Sequence, residues 1–246
     1  MKLSVNGLRF SYSDKPIIND LSLNINNGEF VSILGPSGCG KSTLLNIFAG
    51  ILKPQSGEIL IDNKKYEKAN HHFAYMPQND LLLPWKTILD NVCLYGEIHH
   101  HKKEIKETAL HQMEKFGLKG CENKYPDELS GGMRQRAAFL RTTLCKADIY
   151  LLDEPFGALD VITRGDMQDW LAELCSNLKK TIILVTHDTD EAIYLSDRIL
   201  ILGAPGEGIR REIVITDKNR SREWLYEQGK LRAEIHRIIK GDRYEC

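Results

Sequence analysis

The chain has 246 residues, 42% hydrophobic and 27% charged, and its 33 Lys and Arg stand against 34 Asp and Glu for a formal net charge of -1. That balance gives no electrostatic reason to expect a nucleic-acid partner, which is bound through an excess of Lys and Arg. The length suits one α/β domain with an insertion and argues against two full domains.

No apolar run approaches the roughly 20 residues that span a bilayer, and Met1-Lys2-Leu3-Ser4 opens a strand instead of a signal peptide, so a soluble, cytoplasmic chain is expected. Cys39, Cys93, Cys121, Cys145, Cys175 and Cys246 are scattered with no pair at metal-ligand spacing, and read as reduced thiols. His71-His72 and His99-His100-His101 raise a metal reading. Adjacent residues point apart on a helix or strand, so solvated loops are the default for both runs.

In chain order, Leu21, Leu23 and Ile25 alternate with Ser22, Asn24 and Asn26, and Asn27-Gly28 turns, which predicts half-buried antiparallel sheet. The apolar run Phe30-Val31-Ser32-Ile33-Leu34 leads straight into Gly35-Pro36-Ser37-Gly38-Cys39-Gly40-Lys41-Ser42-Thr43. Gly, four residues and Gly-Lys-Ser after a strand and before a helix is a phosphate-binding loop. Its glycines let successive N–H groups point at one phosphate, the helix adds the positive end of its dipole, Lys41 reaches the β- and γ-phosphates, and Ser42 reaches Mg2+. A thiol inside that loop, Cys39, is expected to favour its thiolate beside a helix N-terminus.

The helix continues through Leu44, Leu45, Ile47 and Phe48 to about Gly50, Pro54-Gln55-Ser56-Gly57 turns into a strand over residues 58–62, and Phe73-Ala74-Tyr75-Met76 is another strand. From about Asp80 to Ala147 the pattern becomes helical, with Ile105, Ala109, Met113 and Phe116 on one stripe and Ala137, Ala138, Arg141 and Leu144 on another. Within it, Leu129-Ser130-Gly131-Gly132-Met133 puts a serine and two glycines at a helix start, a second anion-binding end.

Ile149-Tyr150-Leu151-Leu152 then delivers Asp153 and Glu154 to the carboxyl edge of the sheet, where open α/β sheets bind ligands. Asp153 can hold magnesium, and Glu154, facing the other way, can polarise an attacking water. Ala158-Leu159-Asp160 follows on a loop. Helix residues Met167, Trp170, Leu171, Leu174 and Leu178, a strand over 181–186 that leads to His187, and a strand over 198–202 complete a parallel sheet covered on both faces. A tail helix with Trp224, Gln228, Leu231, Ile235 and Ile238 at helical spacing packs on this body.

Taken together and in this order, these motifs resemble the nucleotide-binding subunit of an ATP-binding cassette (ABC) transporter over nearly the whole chain. The resemblance implies a P-loop NTPase core with a mixed, mainly parallel sheet, an antiparallel β subdomain and a helical insertion. It divides a single domain into an ATP-binding core (1–79 and 148–220), a helical subdomain (80–147) and a C-terminal helix (221–246).

By resemblance, Gly35 to Thr43 bind ATP, Tyr12 stacks on adenine in preference to Phe10, and Gln78 contacts Mg2+ and senses the membrane partner. Ser130, Gly131 and Gly132 close over the γ-phosphate held by the opposite subunit, Asp153 binds Mg2+, Glu154 is the general base, Asp160 lies on a loop crossing the dimer, and His187 contacts the γ-phosphate. Met133 departs from the usual glutamine, which puts only the tuning of turnover in doubt.

Two copies would clamp two ATP molecules head to tail at the cytoplasmic face of the membrane. Permease subunits would dock near residues 81–85, and an extracytoplasmic solute-binding protein would act indirectly. Leu83-Pro84-Trp85 with Thr87 and Asp90-Asn91-Val92 looks most like the nitrate, sulfonate and taurine importer branch, which includes pyrimidine-precursor importers. The alternatives are a soluble ABC ATPase of an assembly machine such as iron–sulphur cluster assembly, a DNA-repair ABC protein, and a small-molecule kinase, which would have no use for residues 129–133 or His187.

Overall fold

The computed structural model describes residues 1–66, 72–178 and 180–241, with backbone alone for 174–178. His71, Cys246 and the side chains of Leu174, Cys175 and Leu178 therefore lie outside the described residues.

Two sheets share a core. Strands β1 (Leu3–Tyr12), β2 (Lys15–Ile25), β4 (Ser56–Ile61) and β5 (Lys64–Lys65) form an antiparallel sheet in the order β2-β1-β4-β5. In β1, Val5 and Leu8 are three apart yet both buried, and a register shift against β2 around Gly7 (φ 58°) restores the inward phase.

The second sheet joins β3 (Phe30–Leu34), β6 (Phe73–Met76), β7 (Ile149–Asp153), β8 (Thr181–Val185), β9 (Arg198–Leu202) and β10 (Ile209–Val214) in the order β10-β9-β3-β8-β7-β6. All neighbours in it are parallel except β10, which runs antiparallel to β9. Every residue of β3, β7 and β8 is buried. Alternate residues serve different cores, as the period of two demands: Ile149, Leu151, Ile183 and Val185 pack toward the antiparallel sheet, and Tyr150, Leu152, Ile182 and Leu184 toward the helices.

Helix α1 (Lys41–Phe48) follows β3, and four helices lie between β6 and β7: α2 (Ile88–Val92), α3 (Leu94–Ile98), α4 (Lys102–Lys115) and α5 (Gly131–Thr143). Helix begins at Ile88 and not near Asp80, because Thr87 is its N-cap, accepting from Asp90 N. The preceding loop wraps around fully buried Asn91, whose amide donates to the carbonyls of Leu83, Lys86 and Thr87 and accepts from Leu83 N at 2.7 Å.

Helices α6 (Val161–Leu178) and α7 (Thr189–Leu195) flank β8. The tail is two helices, α8 (Arg222–Glu227) and α9 (Gly229–Lys240), where the sequence predicts one. Gln228 N bonds back to Leu225 O, tightening the last turn, and Gly229, a poor helix interior residue, starts the next. Both helices pack on the body through Leu225 and Ile235, against Ile193, Ile199 and Ile201.

Candidate active site

The loop between β3 and α1 is built by its glycines. Gly38 (φ 77°) and Gly40 (φ 106°) adopt backbone that L side chains rarely do, and a Cβ on Gly40 would lie 2.7 Å from Ile17 Cγ2. Gly40 has no side chain to cap α1, which leaves first-turn N–H groups for an anion. The Lys41 ammonium sits inside the loop, donating to the carbonyls of Gly35 at 2.9 Å and Pro36 at 3.0 Å.

Cys39 corrects one expectation. It is 4% exposed, and burial pushes its thiol up despite Lys41 nearby, so desolvation outweighs the helix end and the ammonium.

At the end of β7, Asp153 is 2% exposed, with Ser42 and Tyr75 beside its carboxylate, and its Oδ1 has no partner among the described residues. Burial raises its pKa, with the Glu154 charge adding and Ser42 and Lys41 opposing. Glu154 turns away by adopting φ 49°, a left-handed conformation costing on the order of 1–3 kcal/mol in a non-glycine residue. Its backbone is held all the same: N donates to Val185 O at 2.8 Å, and O accepts from Gly157 N and from the Gln135 side chain. Its carboxylate accepts from Gln78 Nε2 at 3.1 Å and lies 3.3 Å from His187 Nδ1. Gln78, Glu154 and His187, distant in sequence, therefore meet at one point of the sheet edge, with Ser42, Asp153 and Lys41 beside them.

Ser130 N-caps α5, accepting from Met133 N, with Gly131 exposed beside it. Asp160 accepts from Thr163 N at the start of α6, and that bond holds its carboxyl below the usual range. Neither Ser130 nor Asp160 is shown in contact with the Glu154 cluster. Tyr12 is 49% exposed and meets the buried Phe10 ring edge-on at 4.9 Å, so of the two rings Tyr12 is the accessible one. Two residues escaped sequence reasoning. Gln135 is buried under the loop after β7, and Glu191, at the start of α7, is buried and accepts from Thr186 Oγ1 at 2.6 Å. Gln135 lies on the helix that Ser130 opens and Glu191 four residues past His187, but the sequence does not show what either side chain bonds, and the fold supplies that.

The docking candidate is exposed: Leu81 is 61% and Trp85 71% accessible, while Leu82 is buried as the anchor. Leu81 is itself left-handed (φ 44°) and is held by Arg141, which donates to the carbonyls of Asp80 and Leu81. Of the histidine runs, His99 packs its ring on Tyr95 at 4.3 Å, and among the described residues no group of three or more His, Cys, Asp or Glu is placed to hold a metal.

A strand, a glycine loop and an uncapped helix facing a strand-end Asp-Glu pair define a P-loop NTPase. The donor set suits Mg2+: a hard ion takes hydroxyl and carboxylate oxygens, and the orphaned Asp153 Oδ1 beside Ser42 offers them.

Comparison narrows the class. A family model described as ABC transporter matches residues 18–157. The formylaminopyrimidine import ATP-binding protein of Halalkalibacterium halodurans is 43% identical over 97% of this chain and 94% of its own. An aliphatic sulfonates import ATP-binding protein of Rhodococcus jostii is 45% identical over 87% of this chain and 83% of its own. A bacterial ABC transporter cassette solved as a dimer superposes with a TM-score of 0.79 at 31% identity, covering 87% of this chain and 99% of that one, and the same cassette is known in a post-hydrolysis state with ADP and Pi.

The chain belongs to the ABC transporter family, as an ATP-binding subunit that hydrolyses ATP with Mg2+. The small-molecule kinase alternative falls with that finding.

Proposed function

We propose that this chain is the ATPase of an importer for a small polar solute of the nitrate, sulfonate, taurine or pyrimidine-precursor kind. Two copies work head to tail on the cytoplasmic face of a membrane. The observation that carries the reading is the Glu154 carboxylate, held at the sheet edge between Gln78 and His187 and beside Ser42 and Asp153.

Loop N–H groups from Gly38 to Thr43 and the Lys41 ammonium bind the β- and γ-phosphates, and Tyr12 stacks on the base. Ser42 and Asp153 hold Mg2+, which when bound neutralises charge on the transferring phosphoryl group. Glu154 takes the proton of the attacking water, and His187, whose ring lies beside that carboxylate, contacts the γ-phosphate. Ser130, Gly131 and Gly132 of the opposite copy complete the phosphate shell, and Asp160 lies at that dimer seam.

The γ-phosphate then biases an open and a closed dimer, and hydrolysis releases closure. Residues 1–79 and 148–220 act as the ATP-binding core, and residues 80–147 as the helical arm. Exposed Leu81 and Trp85 on their strained, Arg141-held loop dock the permease, which in turn meets an extracytoplasmic binding protein. An aromatic anchor beside a catalytic residue is the kind of group that carries an interface.

The test is purification from detergent-solubilised native membranes with ATP, followed by mass spectrometry. A polytopic membrane subunit is expected, with Trp85→Ala reducing its recovery. Soluble scaffold proteins alone would replace the importer reading with that of an assembly ATPase.

A further inference from the structure

We infer that Gln135 is a positioning residue for Glu154, tying the helix that reaches the opposite subunit's nucleotide to the general base of its own. The inference rests on the roles proposed for Glu154 and Ser130. Gln135 is 5% exposed, on the inner face of α5. Its Nε2 donates to Glu154 O at 3.1 Å and its Oε1 accepts from Ala158 N at 2.8 Å. One partner can only accept and the other only donate, so the orientation of the amide is fixed by chemistry. A single side chain thus spans residues 154–158, binding both ends of the loop that leaves β7.

Glu154 needs such a brace because its backbone sits at φ 49°. A carbonyl in that strained turn has to be held from outside the loop for the carboxylate to keep its aim, and Gln135 is the side chain that holds it. The other end of the connection is short. Gly131 and Gln135 are four residues apart on one helix, about 6 Å of rise. A displacement of the Ser130 end as it engages a γ-phosphate across the dimer is therefore delivered, through one helical turn and two hydrogen bonds, to the backbone of Glu154 serving the other nucleotide.

Losing the amide should leave the fold intact. Ala158 is exposed, so water can replace the lost acceptor, and Glu154 O keeps its bond from Gly157 N. The consequence falls on aim and on communication between sites. Misplacing a reacting group by about 1 Å costs on the order of 10²-fold in rate.

The experiment uses the full chain carrying Gln135→Met, which keeps length and volume but removes both hydrogen bonds, with Gln135→Ala as a second variant should the first not fold. Steady-state hydrolysis should show kcat lower by about 10²-fold with KM within about twofold, and a Hill coefficient for ATP falling from about 2 toward 1, the limit for two sites that no longer communicate. In a Glu154→Gln background, Gln135→Met should leave the ATP concentration needed for dimer formation within about twofold, because Gln135 acts on turnover and not on binding.

Wild-type kcat and Hill coefficient in Gln135→Met would overturn the inference, as would loss of the ATP-dependent dimer. Glu154→Gln measured alone separates the two levels: if it hydrolyses at the wild-type rate the reading of Glu154 fails, and if it is inactive while Gln135→Met is normal, only the inference on Gln135 fails.

Discussion

The phosphate loop and the loop after β7 stand side by side at the same sheet edge but are made in opposite ways. The first is local: nine consecutive residues carry their own turns, their own cation and an uncapped helix end, and among the described residues the Lys41 ammonium bonds to Gly35, Pro36 and Cys39 of the same loop. The second is assembled. Glu154 acquires its conformation and its contacts from Gln78, from Gln135, and from Val185 and His187 at the end of β8, which lie on three other segments. A local motif organises binding, and an assembled one can be moved by whatever moves the segments that hold it. Binding and turnover should therefore be separable by mutation.

The largest expected effect tests that separation directly. Glu154→Gln should lower kcat by about 10³-fold while ATP affinity stays within a few-fold, the result expected from removing the proposed general base and little else. Lys41→Ala should do the reverse, raising the ATP dissociation constant by about 10²-fold through loss of charge-assisted bonds to phosphate. Isothermal titration and steady-state kinetics on both variants decide it. Equal loss of affinity in the two would show that the loops do not act separately.

The same contrast explains what could be read in the sequence. Gly35 to Thr43 is legible because its spacing is its geometry, and the buried strands β3, β7 and β8 are legible because four apolar residues in each five leave few alternatives. Asp153 and Glu154 are legible as a strand-end pair. Their opposed directions rest on the left-handed Glu154, which no propensity predicts for glutamate. The start of α2 is displaced because Asn91, an unremarkable polar residue in a helical pattern, is fully buried and gathers the loop before it. The tail reads as one helix because its apolar spacing carries on across Gln228 and Gly229, whereas the backbone breaks there. Gln135 stands just past Ser130-Gly131-Gly132 and Glu191 just past His187, yet neither shows in the sequence what it bonds. A buried polar side chain looks like a solvated one until its partners are known.

Glu191 sharpens the comparison from the His187 side. Thr186 Oγ1 donates to Glu191 Oε2, and Asp188 N donates to Thr186 Oγ1, so His187 hangs between two residues tied to a buried acid. Burial pushes Glu191 up to about 7, with Asp188 adding and Thr186, Arg164 and Gln168 opposing. The folded chain then holds a proton that the unfolded chain, near the ordinary 4.5, has released. The resulting stability is fully present below about 4.5 and is lost as pH rises through about 7, an effect on the order of 3 kcal/mol across that window. Glu191→Gln should flatten the pH dependence of unfolding free energy between those values. Denaturant titrations from pH 4.5 to 8 that leave the two slopes alike would place Glu191 in a more solvated setting than its burial indicates.

Cys39 gives the smallest effect and limits how far a local motif can be read. By sequence alone it lies among glycines, two residues from Lys41 and at the positive end of α1, and each of those neighbours favours a thiolate. Its sulfur instead belongs to the core that includes Val31, Ile33 and Leu44, and a Cβ on Gly35 would approach it to 2.9 Å. Desolvation is the first cause of its raised pKa, ahead of Lys41, so at neutral pH it stays a protonated thiol under cover. Alkylation by a maleimide at pH 7.5 should thus run at least about 10-fold slower than on a free cysteine peptide, and ATP should slow it further by closing the loop over it. A rate equal to that of the peptide would mean that the loop opens in solution far enough to bare its own core. The phosphate loop would then share the mobility of its assembled neighbour, and the division between a fixed binding element and a movable catalytic one would have to be redrawn.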